Sequence, residues 1–110
     1  MINLGRPLIV IALAWPIPAV GAFLDVNDLY ARCDVPSNTR QMNICAAYVE
    51  GVVDALTSTK ALCPPDNLTA RRVIDIVMKH LRQHPEARAD AAASEAEISL
   101  LAAFPCKNSN

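Results

Sequence analysis

The stretch from Thr39 to Leu62 constrains this chain most, because it reads as one long helix with a cysteine inside it and another just past its end. Met42, Cys45, Ala46, Val49, Val52, Val53 and Leu56 fall at i, +3, +4, +7, +10, +11 and +14, so one face of a 3.6-residue period is continuously apolar. Ala47, Gly51, Ala55 and Ser58 form a second line on the far side, all with small side chains. A glycine inside a helix costs roughly 1 kcal/mol relative to alanine. The small line is therefore expected to be a packing seam for the first or the fourth helix, which would leave the central helix covered on two sides.

The first 22 residues stand apart from the fold. Met1 to Pro7 carries Arg6 and no acid, Leu8 to Trp15 is an unbroken apolar run, and Pro16 to Ala22 ends in the small residues Val20-Gly21-Ala22. That order is the organisation of a secretory signal peptide, with cleavage expected after Ala22. Eight apolar residues are too few for about 30 Å of hydrocarbon, which needs about 20, so no stable membrane anchor is expected. Removing 22 of the 110 residues leaves 88, from Phe23 to Asn110, and takes Arg6 with it. Nine basic residues then face eleven acidic ones. With no basic field and few aromatic residues for stacking, no nucleic-acid partner is expected.

The exported part reads as an all-α domain of about four helices. Phe23 to Asp34 is a short first helix, capped by Asp25 or Asn27, with Val26, Leu29, Tyr30 and Cys33 turned inward. Thr39 caps the central helix, which runs to about Ser58. Cys63-Pro64-Pro65 fixes an extended exit. Thr69 caps a third helix with a broad apolar face from Val73 to Leu81, and Leu68 is placed to staple it against Val73. Asn67-Leu68-Thr69 also fits the glycosylation acceptor pattern, but the helical pattern that starts there favours the cap. Pro85 is expected to open the fourth helix from its first position. Its inner face would be Ala89, Ala92, Ala93, Ala96, Leu100 and Ala103 or Phe104, before Pro105 ends it.

An even number of cysteines in a small exported domain implies disulfides. Cys45 lies early in the central helix and Cys63 beyond its other end, which at 1.5 Å per residue sets them about 20 Å or more apart. A bridge needs Cα atoms within about 7 Å, so Cys45 does not pair with Cys63. A short turn brings Cys33 beside Cys45, and two further helices return Cys106 to Cys63. The expected bridges are therefore Cys33 with Cys45 and Cys63 with Cys106.

Little points to catalysis, a metal or a cofactor. The cysteines lack the Cys-x-x-Cys clustering of zinc modules. His80 and His84 are one turn apart and could share a metal, but more plainly they favour the negative end of the helix dipole. Glu50 and Asp54 share a face as paired carboxylates might, though no second group or glycine-rich loop accompanies them. Ser37, Ser58, Ser94 and Ser99 lack a nucleophile elbow. The pattern is that of a binding protein rather than an enzyme.

The motifs say of what. Asn27-Asp28-Leu29-Tyr30 leading to Cys33, Cys45-Ala46-Ala47-Tyr48-Val49-Glu50-Gly51-Val52-Val53-Asp54, Cys63-Pro64, Leu81 to Glu86, and Ala103-Phe104-Pro105-Cys106 together resemble the Rap/Tai immunity family. The resemblance covers essentially the whole exported part. It implies a small periplasmic, disulfide-bonded, all-helical protein that binds and inhibits a peptidoglycan amidase delivered as a toxin by type VI secretion. Tyr48, Gly51 and Asp54 carry that signature and are expected to hold the scaffold together. Contact with a toxin is expected from the loop Lys60 to Asn67 and the turn Arg82 to Glu86, through Lys60, Asp66, Arg82, His84 and Glu86. A spare apolar face would also allow a homodimer. The rival reading is a small periplasmic stress or chaperone-like helical protein with no dedicated toxin.

Overall fold

A computed structural model of the chain describes Gly5 and residues 22–107. The expected signal peptide therefore lies, but for Gly5 and Ala22, outside the described residues. Four helices follow one another: α1 (Val26–Cys33), α2 (Arg40–Ser58), α3 (Ala70–Gln83) and α4 (Ala92–Ala103), with a single 3-10 turn at Pro85–Ala87. No strand forms among the described residues; the backbone pairs only at two isolated bridges, Asp25 with Ala91 and Leu62 with Pro105.

Local chemistry sets the starts of the first three helices. At α1, Asp25 and Asp28 make a reciprocal capping box: the Asp28 N–H donates to Asp25 Oδ1 at 2.8 Å, and the Asp25 N–H to Asp28 Oδ2 at 3.2 Å. Asp25, rather than Asn27, is thus the cap. Thr39 Oγ1 accepts from the Met42 N–H at 3.2 Å, and Thr69 Oγ1 from the Arg72 N–H at 3.2 Å. Each such side chain satisfies one donor that a helix start leaves without a partner.

α3 is the hub of the core, packing on α2 and on α4 while α1 lies across all three. It buries Val73, Ile74, Val77, Met78 and Leu81. α1 contributes Val26, Leu29 and Cys33, and α2 contributes Met42, Cys45 and Val49. Both disulfides are those expected: Cys33–Cys45 with Cα atoms 5.1 Å apart, and Cys63–Cys106 with 4.9 Å.

Two expectations fail. α4 does not start at Pro85. After the 3-10 turn the chain bends at Arg88 to Asp90, and the helix begins at Ala92. The carbonyls of Arg88 and Asp90 accept from the N–H groups of Asn27 and Val26 at 3.1 and 2.9 Å, and the Ala92 N–H donates to the Leu24 carbonyl at 3.0 Å. These backbone bonds tie the two helix starts together beside the α1 capping box, and they use the carbonyls that a helix begun at Pro85 would have needed. Ala89, Ala93 and Ala103 are consequently exposed, and the inner face is Ala92, Glu95, Ala96, Ser99 and Leu100, with Phe104 just after it.

The small-residue seam on α2 is also bare. Ala47, Gly51, Ala55 and Ser58 are all exposed, and a Cβ built on Gly51 meets nothing within 4 Å. Among the described residues nothing packs there, so α2 is covered by them on one side, and Gly51 does not hold the scaffold together. Gly51→Ala is accordingly expected to stabilise the protein by about 0.5–1 kcal/mol, the helix-propensity difference without a steric penalty. A urea titration would show the midpoint rising; an unchanged or lower midpoint would mean that the glycine has a local role.

Candidate functional site

The exit from α2 is built to be rigid. Lys60 takes a left-handed backbone, with φ of 61°, in a position that more often holds glycine. Its turn lets the N–H groups of Ala61 and Leu62 both reach back to the Leu56 carbonyl, at 2.9 and 3.2 Å. Leu62 is then buried at 2% exposure, and the Cys63 N–H donates to the Phe104 carbonyl at 3.1 Å beside the disulfide. The loop from Thr59 to Thr69 is thereby tied to the end of α4. Lys60 and Asp66 stand exposed on it.

At the opposite end of α3 lie Arg82, His84 and Glu86. His84 Nδ1 and Glu86 Oε1 are 2.9 Å apart on the surface. The Glu86 carboxyl sits below its ordinary range, first through its own backbone N–H and then through His84. Lys60 and Asp66 do not form one patch with Arg82, His84 and Glu86, because the 14 residues of α3 hold the groups about 20 Å apart.

His80 and His84 do not combine on a metal. Their rings are 4.3 Å apart, centre to centre, but each turns to its own carboxylate: His80 Nε2 lies 3.1 Å from Glu95 Oε1, and His84 is engaged by Glu86. Among the described residues no group of three or more metal-binding side chains gathers. The His80–Glu95 pair, with both side chains at most 15% exposed, joins α3 to α4 and was not expected from the sequence. Its signal is there: Ala92, Glu95 and Ser99 at i, +3 and +7 place the carboxylate on the buried face. A hydrogen bond of this charged kind is worth about 1.5–3 kcal/mol. Glu95→Ala should therefore lower the unfolding free energy by about 2 kcal/mol, and Glu95→Gln, which keeps the reach to His80, by about half as much or less. Equal losses in the two variants, read by urea unfolding, would show that packing rather than the hydrogen bond matters.

Glu50 and Asp54 are exposed on α2 and edge an open groove of about 360 Å³ between α2, the Cys63 loop and the start of α3. Asp54 thus lines a surface rather than holding the scaffold. Tyr48, by contrast, is half-buried against the core; burial pushes its phenol above the ordinary value, with the Ala93 backbone amide acting in the opposite direction. The serines are engaged locally or exposed: Ser58 Oγ donates to the Ala55 carbonyl and Ser99 Oγ to that of Ala96, while Ser37 and Ser94 lie at the surface. None meets a histidine as a nucleophile and its base would.

The family model for Rap1a immunity proteins matches residues 25–106. The chain belongs to that family. No curated protein matches it, and no solved structure does. Membership of the Rap1a immunity family brings an immunity function against a toxin, and the matched span includes all four cysteines, every helix among the described residues and the whole of the groove. As expected of a Rap1a immunity protein from the resemblance above, the fold is all-helical and stapled by two disulfides. Bridges of this kind persist in oxidising compartments, and no helix among the described residues is long and apolar enough to cross a membrane.

Proposed function

We propose that the exported protein is a periplasmic inhibitor that binds a peptidoglycan-cleaving amidase delivered by type VI secretion and closes its catalytic cleft by covering it. The observation that supports this best is the coincidence of the family match with the two disulfides. A Rap1a immunity protein with bridged cysteines suits an oxidising compartment, and in the periplasm the cell wall is the target within a toxin's reach. Inhibition by occlusion needs no chemistry from the inhibitor, only a complementary surface of about 800 Å². The loop carrying Lys60 and Asp66 and the turn carrying Arg82, His84 and Glu86 are the proposed contacts. Because they sit at opposite ends of α3, a broad partner would be required to touch both.

The test is to mix the oxidised mature protein with purified type VI amidases and follow peptidoglycan hydrolysis. Stoichiometric loss of activity with a cognate amidase is expected. No inhibition and no complex across such a set would sink the amidase reading. A chaperone-like role calls for a broad apolar surface, whereas among the described residues the large hydrophobic side chains that stand exposed are Phe23, Ile44 and Ile98, on three different segments.

A further inference from the structure

The central helix outruns the core it packs on. Met42, Cys45 and Val49 in its first half are closed off from solvent, while Val52, Val53 and Leu56 in its second half are only partly covered. The space beside that second half is the open groove of about 360 Å³. Val53, Pro64, Leu68 and Val73 supply aliphatic surface to it, and Glu50 and Asp54, one helical turn apart, stand along its α2 edge.

Some carboxylates on the molecule are already engaged by a basic side chain. Asp75 is paired with Arg71 at 3.5 Å, Glu86 with His84, and Glu95 with His80. Among the described residues Glu50 and Asp54 make no ion pair. On the far wall, Thr69 Oγ1 is already occupied by the Arg72 N–H, and the start of α3 carries partial positive charge. A cationic group entering the groove is therefore drawn to the α2 edge.

A lining that mixes aliphatic patches with polar groups and carries two carboxylates along one edge suits a side chain with a long apolar stem ending in a cation. We propose that this groove receives a lysine or arginine carried on a protruding segment of the toxin, an inference that rests on the toxin-binding reading above. The stem lies over Val53 and Leu68, and the head meets Glu50 and Asp54. The disulfide-anchored loop holds the opposite wall in place, so little has to be ordered when the partner arrives.

Substitution at Glu50 and Asp54 tests this directly, because both are exposed and the fold does not depend on them. The probe is a type VI peptidoglycan amidase, with affinity measured by calorimetry and each variant checked by its melting curve. The pair Glu50→Gln with Asp54→Asn is expected to weaken binding about tenfold or more and to reduce its salt dependence. Glu50→Lys with Asp54→Lys is expected to weaken it at least about a hundredfold. Binding by the wild type that charge reversal changes by less than twofold overturns the groove proposal and leaves toxin binding intact. A wild type that binds none of the amidases overturns the toxin reading, and this occupant with it. If reversal changes the protein's own mass in solution while toxin affinity is intact, the groove holds a second copy, and the proposal is again overturned.

Discussion

Replacing Cys63 and Cys106 together by alanine is expected to lower the unfolding free energy by about 4 kcal/mol and the melting temperature by about 20 °C. The bridge closes a segment of 43 residues, and the loop-entropy argument for that length gives about 4 kcal/mol. Against it stands a total stability of about 4–13 kcal/mol for a domain of this size. Apart from the bridge, the end of α4 is tied to the exit from α2 by the Leu62–Pro105 pairing and the bond from the Cys63 N–H to the Phe104 carbonyl. Removing Cys33–Cys45, which closes only 12 residues, should cost about 3 kcal/mol by the same argument. It should also disturb packing, since Cys33 and Cys45 are 5% and 0% exposed. Cys63 is exposed and Cys106 half-buried, so a mild thiol reductant should open the second bridge first. Thermal unfolding followed by circular dichroism, with thiol labelling to count open cysteines, checks both statements. A melting point within about 5 °C of the wild type in the Cys63→Ala, Cys106→Ala protein would show that backbone pairing alone holds the two ends.

Leu100→Ala is the second large effect, at about 3–4 kcal/mol. The buried face of α4 is otherwise small: Ala92 and Ala96 let the helix lie close to its neighbours, and Leu100, with no exposed surface, is the large apolar anchor within the helix, followed by Phe104 just past its end. Truncating it removes the transfer free energy of three carbons and leaves a cavity that alanines above it are too short to fill. Leu101, next in the chain but only partly buried, should cost less than half as much when cut to alanine. Urea midpoints for the two variants give the comparison. Similar losses at both positions would mean that α4 is not seated on Leu100. The converse change, Ala96→Leu, should also destabilise, by about 1–3 kcal/mol, because the close approach leaves no room for it.

The candidate site divides in the same way as the fold. Glu50 and Asp54 could be placed on one helix face from their spacing, but that the face borders a groove depends on where the Cys63 loop and Leu68 come to rest. Lys60, Asp66, Arg82, His84 and Glu86 were legible as surface. That they form two separate groups follows from the length of α3. The spacing of Glu95 from Ala92 and Ser99 places it on the buried face, but its partner His80, on another helix, is set by the packing of α3 on α4.

What the sequence by itself determined is what short-range chemistry controls. The 3.6-residue apolar spacing sets α2 and α3, the threonines at positions 39 and 69 set their starts, and the length of α2 keeps Cys45 from Cys63 and so dictates the bridges. Only the tertiary structure decided what lies opposite each face. The start of α4 moved from Pro85 to Ala92 because Arg88 and Asp90 give their carbonyls to α1, a demand from some sixty residues away that no local propensity records. The small-residue line on α2 was left open for the complementary reason: periodicity shows that a face is smooth, but whether another element arrives to cover it is settled by the path of the whole chain.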